Sequence, residues 1–349
     1  MKIAETLLRD AAREILTGIG EEKNNAEIAA EIMVRSDMRG VSTHGVNLLR
    51  QIVKRKAAAM LSIPTRVEVL RDDAATALLD GCDGLGQVAG YKAMRLSIEK
   101  ALRSGIAMVG VKNTNNVGAL GYYTSTAAST GNVITLCMTN GNPSVAPYGS
   151  ADPFFGTNPI SVGIPLPGGN PIVLDMSSSV VARGKIRLAA LSGEKIPLGW
   201  ACDETGAPTT DPAKALKGSL LPLGGPKGSG LAMIIDILAG LLTGSAYGLK
   251  LKSFHELEGP TGVGATFITI DIGRFMDPEL FAAHVSAYAK EIKALRMQPG
   301  VSEILLPGEL ESIKEEKSRK AGIEVPEAVA KAIDEILVKS GSTIRLTAE

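Results

Sequence analysis

Histidine is scarce in this chain, which carries only His44, His255 and His284. His44 is the one set among groups that suit proton transfer. It follows Asp37-Met38-Arg39-Gly40-Val41-Ser42-Thr43 and precedes Gly45. An imidazole titrates near neutrality and is the default acid/base carrier of an enzyme working there. A hydroxyl before the ring and a glycine after it suit a loop or helix start that presents it. A capping segment, with Ser42 or Thr43 as the cap and His44 incidental, would have the same composition.

Later clusters could serve the same chemistry. Asn113-Thr-Asn115-Asn116-Val-Gly118-Ala-Leu-Gly121-Tyr-Tyr123 offers amides and glycines that could hold a carbonyl or a ribose, or build an ordinary turn and helix start. Thr157 lies in Gly156-Thr-Asn-Pro159, and Asp175-Met176-Ser177 leads to Arg183-Gly184-Lys185. Asp175 could take ribose hydroxyls, and Arg183 or Lys185 a carboxylate. Pro222-Leu-Gly224-Gly225-Pro-Lys227-Gly228-Ser-Gly230 runs into an apolar stretch. It lacks the P-loop spacing, yet converging glycine N–H groups, a helix N-terminus and the Lys227 charge favour an anion site over a plain turn.

Gly84-Leu-Gly86-Gln-Val-Ala-Gly90 resembles a dinucleotide fingerprint between a strand and a helix. The next strand ends in Val111-Lys112-Asn113 rather than in an acid for a ribose, and no doubly wound alternation follows. There is no His-Glu-x-x-His and no His/Cys cluster, so no metal is expected, and no Gly-x-Ser-x-Gly elbow supports a hydrolase.

The elements that must position these groups form three stretches. Residues 1–65 read as helices: apolar residues recur from Ile3 to Leu16, a second stripe follows Asn25, and a third helix spans about 45–56. Residues 66–274 are rich in strands, at about 67–70, 76–80, 106–111, 133–138, 160–164, 171–174 and 266–271, with a helix over 87–103. The run 230–243 is too short for a membrane span of about 20 residues, holds Asp236 in its middle, and reads as a buried helix. Helices return at about 278–295, 309–321 and 326–339. The pattern predicts a mixed α/β protein, with a helical domain of 1–65 plus 275–349 and a strand-rich domain of 66–274.

Composition narrows the function classes. The 349 residues are 45% hydrophobic and 21% charged, enough for a sizeable core. Lys plus Arg and Asp plus Glu are 37 each, so no electrostatic case exists for nucleic acid or a membrane surface as partner. Cys82, Cys137 and Cys202 are isolated, which argues against disulfides and zinc. The N-terminus has no apolar signal segment, and a reducing, cytoplasmic setting is expected.

Taken in order, several runs resemble the non-Rossmann malate/L-lactate dehydrogenase family. They are Arg39-Gly-Val-Ser-Thr-His44-Gly45, Gly118-Ala-Leu-Gly-Tyr-Tyr123, Gly156-Thr-Asn-Pro159, Leu174-Asp-Met-Ser177, Ala182-Arg-Gly-Lys-Ile186, Pro197-Leu-Gly-Trp200 with Pro208-Thr-Thr-Asp-Pro212, Leu221-Pro-Leu-Gly-Gly-Pro-Lys-Gly228 and Leu306-Pro-Gly-Glu309. The resemblance implies a homodimer with an unusual α/β fold like that of sulfolactate dehydrogenase. NAD or NADP would lie on the strand-rich domain, and the substrate would be a small 2-hydroxy or 2-oxo acid. A cyclic ketimine reductase, or a nucleotide binder without turnover, is the alternative. By resemblance, His44 takes the acid/base position. Asn140, Asp175, Met176, Ser177, Lys227, Gly228, Pro307, Gly308 and Glu309 fall on cofactor positions, and Thr157, Arg183, Gly184 and Lys185 fall near the substrate.

Three positions depart from the family. Thr43 replaces a serine but keeps a hydroxyl for the imidazole. Asn116 stands where relatives often carry a second histidine, leaving His44 to act alone. Leu48 stands where relatives carry a carboxylate-binding arginine. Arg50 lies about 200° around the helix from that position and cannot substitute directly.

Overall fold

The computed structural model describes residues 1–347. Strand β1 (Lys2–Ile3) leads into helices α1 (Glu5–Gly18), α2 (Lys23–Met38) and α3 (Leu48–Ala57), with a single 3₁₀ turn, Ser42–His44, between the last two. In α1, Leu8, Ala11, Ala12, Ile15 and Leu16 form one buried stripe, as the sequence periodicity requires. They meet Ala26, Ala30, Met33, Leu49 and Ile52 in a core that also takes in Ile323, Ile333 and Leu337 from the far end of the chain. His44 therefore hangs from a short turn between two helices whose apolar faces are locked in place.

Strands β2 (Glu68–Asp72) and β3 (Thr76–Asp80) form a hairpin, followed by α4 (Gly86–Ser104), β4 (Ile106–Thr114), α5 (Leu120–Ala128) and β5 (Val133–Thr139). Strands β6 (Ile160–Ile164) and β7 (Ile172–Met176) precede α6 (Arg183–Ser192), β8 (Ala201–Cys202), α7 (Pro212–Lys217), β9 (Ser219–Leu220) and α8 (Pro226–Asp236). A π-helical turn, Ile237–Leu241, continues α8. The chain ends with β10 (Val263–Asp271), α9 (Pro278–Lys293), α10 (Glu309–Ala321), β11 (Ile323–Glu324) and α11 (Glu327–Lys339).

Seven strands form one mixed sheet in the order β2-β3-β4-β10-β5-β6-β7. Only β3 and β4 run parallel, joined through α4 as a single βαβ unit; every other neighbouring pair is antiparallel. Central β10 alternates between two layers with the strand period of two. Ala265 and Phe267 join the core under α4 and α5, whereas Thr266 donates to the Leu238 carbonyl on the α8 side at 2.8 Å. A third apolar cluster, including Val145, Phe155, Ile186, Ala201 and Leu220, supports the segment that carries α6.

Three differences from the sequence reading have physical causes. Helix α5 has every residue but Thr126 buried, so it lacks the amphipathic period by which helices are recognised. Arg183–Lys185 opens helix α6 instead of closing a strand. The apolar run around α8 is not a buried helix. Ala232, Ile235 and Ala239 are buried, but Met233, Ile234, Ile237, Leu241 and Leu242 are 38–60% exposed on the opposite face.

Candidate active site

Two adjoining cavities meet at His44. The larger, about 410 Å³, is lined by Arg35, Arg39, Thr43, His44, Gly118, Gly121, Thr157, Asp175, Met176, Ser177, Ala182, Pro307, Gly308 and Glu311, among others. The smaller, about 140 Å³, is lined by His44, Asn116, Asn140, Asn142, Thr157, Lys252, Phe254 and Thr261, among others. His44, Gly118, Thr157 and Pro159 belong to both walls. Segments that lie far apart in sequence thus converge on one imidazole.

The turn that carries His44 is held from behind by Asp37 of α2, whose Oδ2 accepts from the Val46 N–H at 2.8 Å. A Cβ at Gly45 would lie 1.9 Å from Asp37 Oδ1, so only glycine fits between the carboxyl and the turn. Burial pushes the Asp37 carboxyl up to about 7, against the pull of the Val46 N–H. The Nδ1 atom of His44 is shielded from solvent and has no hydrogen-bond partner among the described residues. Burial lowers the imidazole below its ordinary 6.5, and nearby His255 adds to this, while a polar contact from Asn116 opposes it. Asn116 Oδ1 also accepts from the Gly118 N–H at 2.8 Å. His44 is consequently a neutral ring near neutral pH, with unspent hydrogen-bonding capacity.

The expected Thr43 bond to the imidazole does not form. Thr43 faces the larger cavity and lies against Gly184, where a Cβ would come within 3.1 Å of its methyl group. Thr157 does reach both cavities, and its carbonyl accepts from the Ser178 N–H and hydroxyl, each at 2.8 Å. Arg183 instead donates to the Leu216 carbonyl at 2.5 Å, and Lys185 is exposed; neither lines either cavity.

The larger cavity gathers most of the expected cofactor residues. Asp175 accepts from the Gly121 N–H at 2.7 Å, and burial lifts its carboxyl to about 6 although that bond and the Arg39 charge both pull it down. Gly308 has φ +87, and its absent side chain leaves room for the Val173 backbone, whose N–H donates to the Pro307 carbonyl at 2.9 Å. The glycine turn 222–228 packs beside Ser178, the Leu223 N–H donating to the Ser178 carbonyl at 2.8 Å; exposed Lys227 on this turn lines neither cavity. Gly228 serves packing: a Cβ there would meet Leu223 backbone atoms at 2.3–2.5 Å.

Two expected residues act as struts, Asn140 within the wall of the smaller cavity and Glu309 outside both linings. Asn140 spends its side chain on Asp236, the Ala246 carbonyl and the Gly264 N–H, each at 2.9 Å. Glu309 accepts from the Leu306 N–H at 2.7 Å and pairs with Lys293 at 2.8 Å. Glu311, not Glu309, lines the cavity. Sequence reading also passed over Arg35 and Arg39 as cavity residues. They stand four apart on one face of α2, share Glu315 at 3.0 and 2.8 Å, and place two guanidinium groups in the wall that also holds Asp175 and Glu311.

These walls fit a nicotinamide dinucleotide. The larger cavity combines backbone exposed at glycines, the Asp175 carboxyl able to meet ribose hydroxyls, and the Arg35 and Arg39 guanidinium groups able to meet phosphate.

A family profile described as malate/L-lactate dehydrogenase matches residues 3–334. The chain is 38% identical over 323 residues to malate/(S)-sulfolactate dehydrogenase of Methanothermus fervidus, covering 93% of each chain. Its structure resembles sulfolactate dehydrogenase from Methanocaldococcus jannaschii, with a TM-score of 0.93, 35% identity and 99% and 98% coverage. It also resembles delta1-piperideine-2-carboxylate reductase from Pseudomonas syringae pvar. tomato, with a TM-score of 0.86, 30% identity and 96% and 99% coverage. Homologues are NAD(P)-dependent dehydrogenases.

Proposed function

The chain belongs to the malate/L-lactate dehydrogenase family, and we propose that it interconverts a small 2-hydroxy acid and its 2-oxo acid with NAD or NADP. The observation that carries this reading is the shielded, unpartnered His44 Nδ1 on a wall shared by the larger and the smaller cavity. When bound, the cofactor supplies or accepts the hydride. His44 donates a proton to the substrate carbonyl oxygen in reduction and takes it from the hydroxyl in oxidation. Asp175, Met176, Ser177, Pro307 and Gly308 hold the cofactor, with the exposed charge of Lys227 available to its phosphates. Thr157 and Gly184 shape the substrate side. Asn140 and Glu309 keep the walls in register.

We assign the helical unit to 1–65 plus 275–349 and the cofactor unit to 66–274; the separate cores under α1–α3 and under α4–α5 support this division. The exposed face of Met233, Ile234, Ile237, Leu241 and Leu242 supports a homodimer, since such apolar patches mark association surfaces. Light scattering of Ile234→Glu against wild type checks this, with a shift to monomer expected. No helix among the described residues is long and apolar enough to cross a membrane. The paired-charge composition and free thiols fit a cytoplasmic enzyme.

The test is NAD(P)H-dependent turnover of wild type and His44→Ala across a panel of 2-oxo acids. Loss of a positioned general acid is expected to lower kcat by about 10²–10⁴. A variant that keeps most of the rate removes His44 from the chemistry. Cyclic ketimines belong in the same panel, because the piperideine carboxylate reductase likeness favours them as the second reading; faster imine than 2-oxo acid turnover would make that the reaction.

A further inference from the structure

Leu48 cannot bind an acid, and the structure shows why no simple repair occurs nearby. Its side chain is 2% exposed and belongs to the helical core, facing neither cavity. Arg50 is exposed and lines neither cavity. Arg183 is occupied by the Leu216 carbonyl. Arg35 and Arg39 line only the larger cavity and are tied to Glu315.

The smaller cavity narrows the choice. Thr139 donates to the Gly264 carbonyl, Thr261 to the Thr114 carbonyl, and Asn140 is fully engaged. Uncommitted capacity remains on His44, on neutral Asn116, Asn142 and Thr157, and on one cation, Lys252. The acid partner of Lys252 is Glu258 at 3.9 Å, with both side chains about half exposed or more. Such a pair contributes little and can exchange for a better anion.

The segment that carries Lys252 is rigidly seated. Its N–H donates to the Thr261 carbonyl at 3.0 Å. Fully buried Arg55 donates to the Glu256 and Gly259 carbonyls, each at 2.7 Å, and sits 5.3 Å from the Phe254 ring centroid. At about 140 Å³ the cavity matches the ~150 Å³ that holds one benzene. It has room for the carboxylate and carbonyl of a 2-oxo acid, with any longer chain extending past His44.

We propose that Lys252 is the substrate-anion anchor of this enzyme, binding the carboxylate next to the carbonyl that His44 protonates. The assignment rests on the 2-oxo acid reading above. It makes Lys252 a specificity residue that discriminates acids from uncharged analogues.

Kinetics of wild type, Lys252→Met and Lys252→Arg on a 2-oxo acid and on its uncharged amide test it. Lys252→Met is expected to raise KM for the acid at least tenfold, with kcat within about threefold and KM for the amide unchanged. Lys252→Arg is expected to restore most of the acid affinity. An unchanged acid KM, or acid and amide KM rising together, overturns the anchor while leaving the reaction class intact. Absence of wild-type turnover on every 2-oxo acid would overturn the reaction class. In that event the rise in Tm caused by oxalate in the presence of NAD(P)H decides the anchor: its loss in Lys252→Met supports Lys252, and its persistence rejects it.

Discussion

The chain turns from strand to helix beside glycines twice in succession, and the two junctions do opposite things. The first, between β3 and α4, holds Gly84, Gly86 and Gly90, whose spacing resembles a dinucleotide fingerprint. The second, between β4 and α5, holds Gly118 and Gly121. In the first, protein fills every space that the glycines leave. A Cβ at Gly84 would meet the Thr65 methyl at 2.6 Å, one at Gly86 the Asn115 and Asn116 carbonyls at 2.4 Å, and one at Gly90 the Tyr123 ring at 2.8 Å. Asn115, Asn116 and Tyr123 belong to the second junction. The second loop therefore plugs much of the first, while its own glycines line the larger cavity, where a Cβ would meet Asp175 at Gly121 and Ile32 at Gly118. Glycine spacing reports that something approaches the backbone closely; it does not say whether that is a ligand or another part of the chain.

Three experiments probe this contrast, the largest effect first. Gly84→Ala should cost about 1–3 kcal/mol of unfolding free energy, because buried Thr65 is pinned by Glu21 at 2.6 Å and cannot yield. Urea unfolding measures it, and NAD(P)H affinity should stay within twofold. A large loss of cofactor affinity with unchanged stability would return the first junction to a nucleotide site. Gly121→Ala should do the reverse, placing a Cβ 2.8 Å from Asp175 Oδ2 and breaking the N–H bond to that carboxyl. About a tenfold weaker NAD(P)H Kd, worth ~1.4 kcal/mol, is expected by fluorescence titration, with a smaller effect on Tm. Equal losses in both variants would erase the distinction.

The third is a pH profile. Because burial lowers His44 below 6.5, reduction, which needs the charged ring, should fall as pH rises through that lowered value. Oxidation, which needs the neutral ring, should hold down to it and fall only below. Asn116→His adds a second titratable group beside the ring and should move that inflection; an unmoved inflection would place the titrating group elsewhere.

Much of the molecule was legible in residue order. Thr76–Asp80, Ile160–Ile164 and helix 309–321 follow from alternation, bounding turns and helical period. His44 stood out by type and neighbours, and the Asp175-Met176-Ser177 and Pro307-Gly308 runs do reach one cavity. Other features were hidden because they depend on what lies across a gap. Helix α5 is covered on all sides and so shows no polar face. Arg183, placed by sequence near the substrate, is drawn away by a carbonyl 33 residues later.

Residue types and spacing by themselves determined the mixed α/β class, the helical ends around a strand-rich middle, and a single histidine suited to proton transfer. Tertiary structure alone decided which glycines pack against protein alone and which also line a cavity, that Asn140 and Glu309 brace the walls, and that Lys252 shares a cavity with His44 from 208 positions away. The physical reason is range. Periodicity and turn chemistry act within a few residues along the chain, whereas cavities and hydrogen-bond partners are set by packing between segments that meet only once the chain has folded.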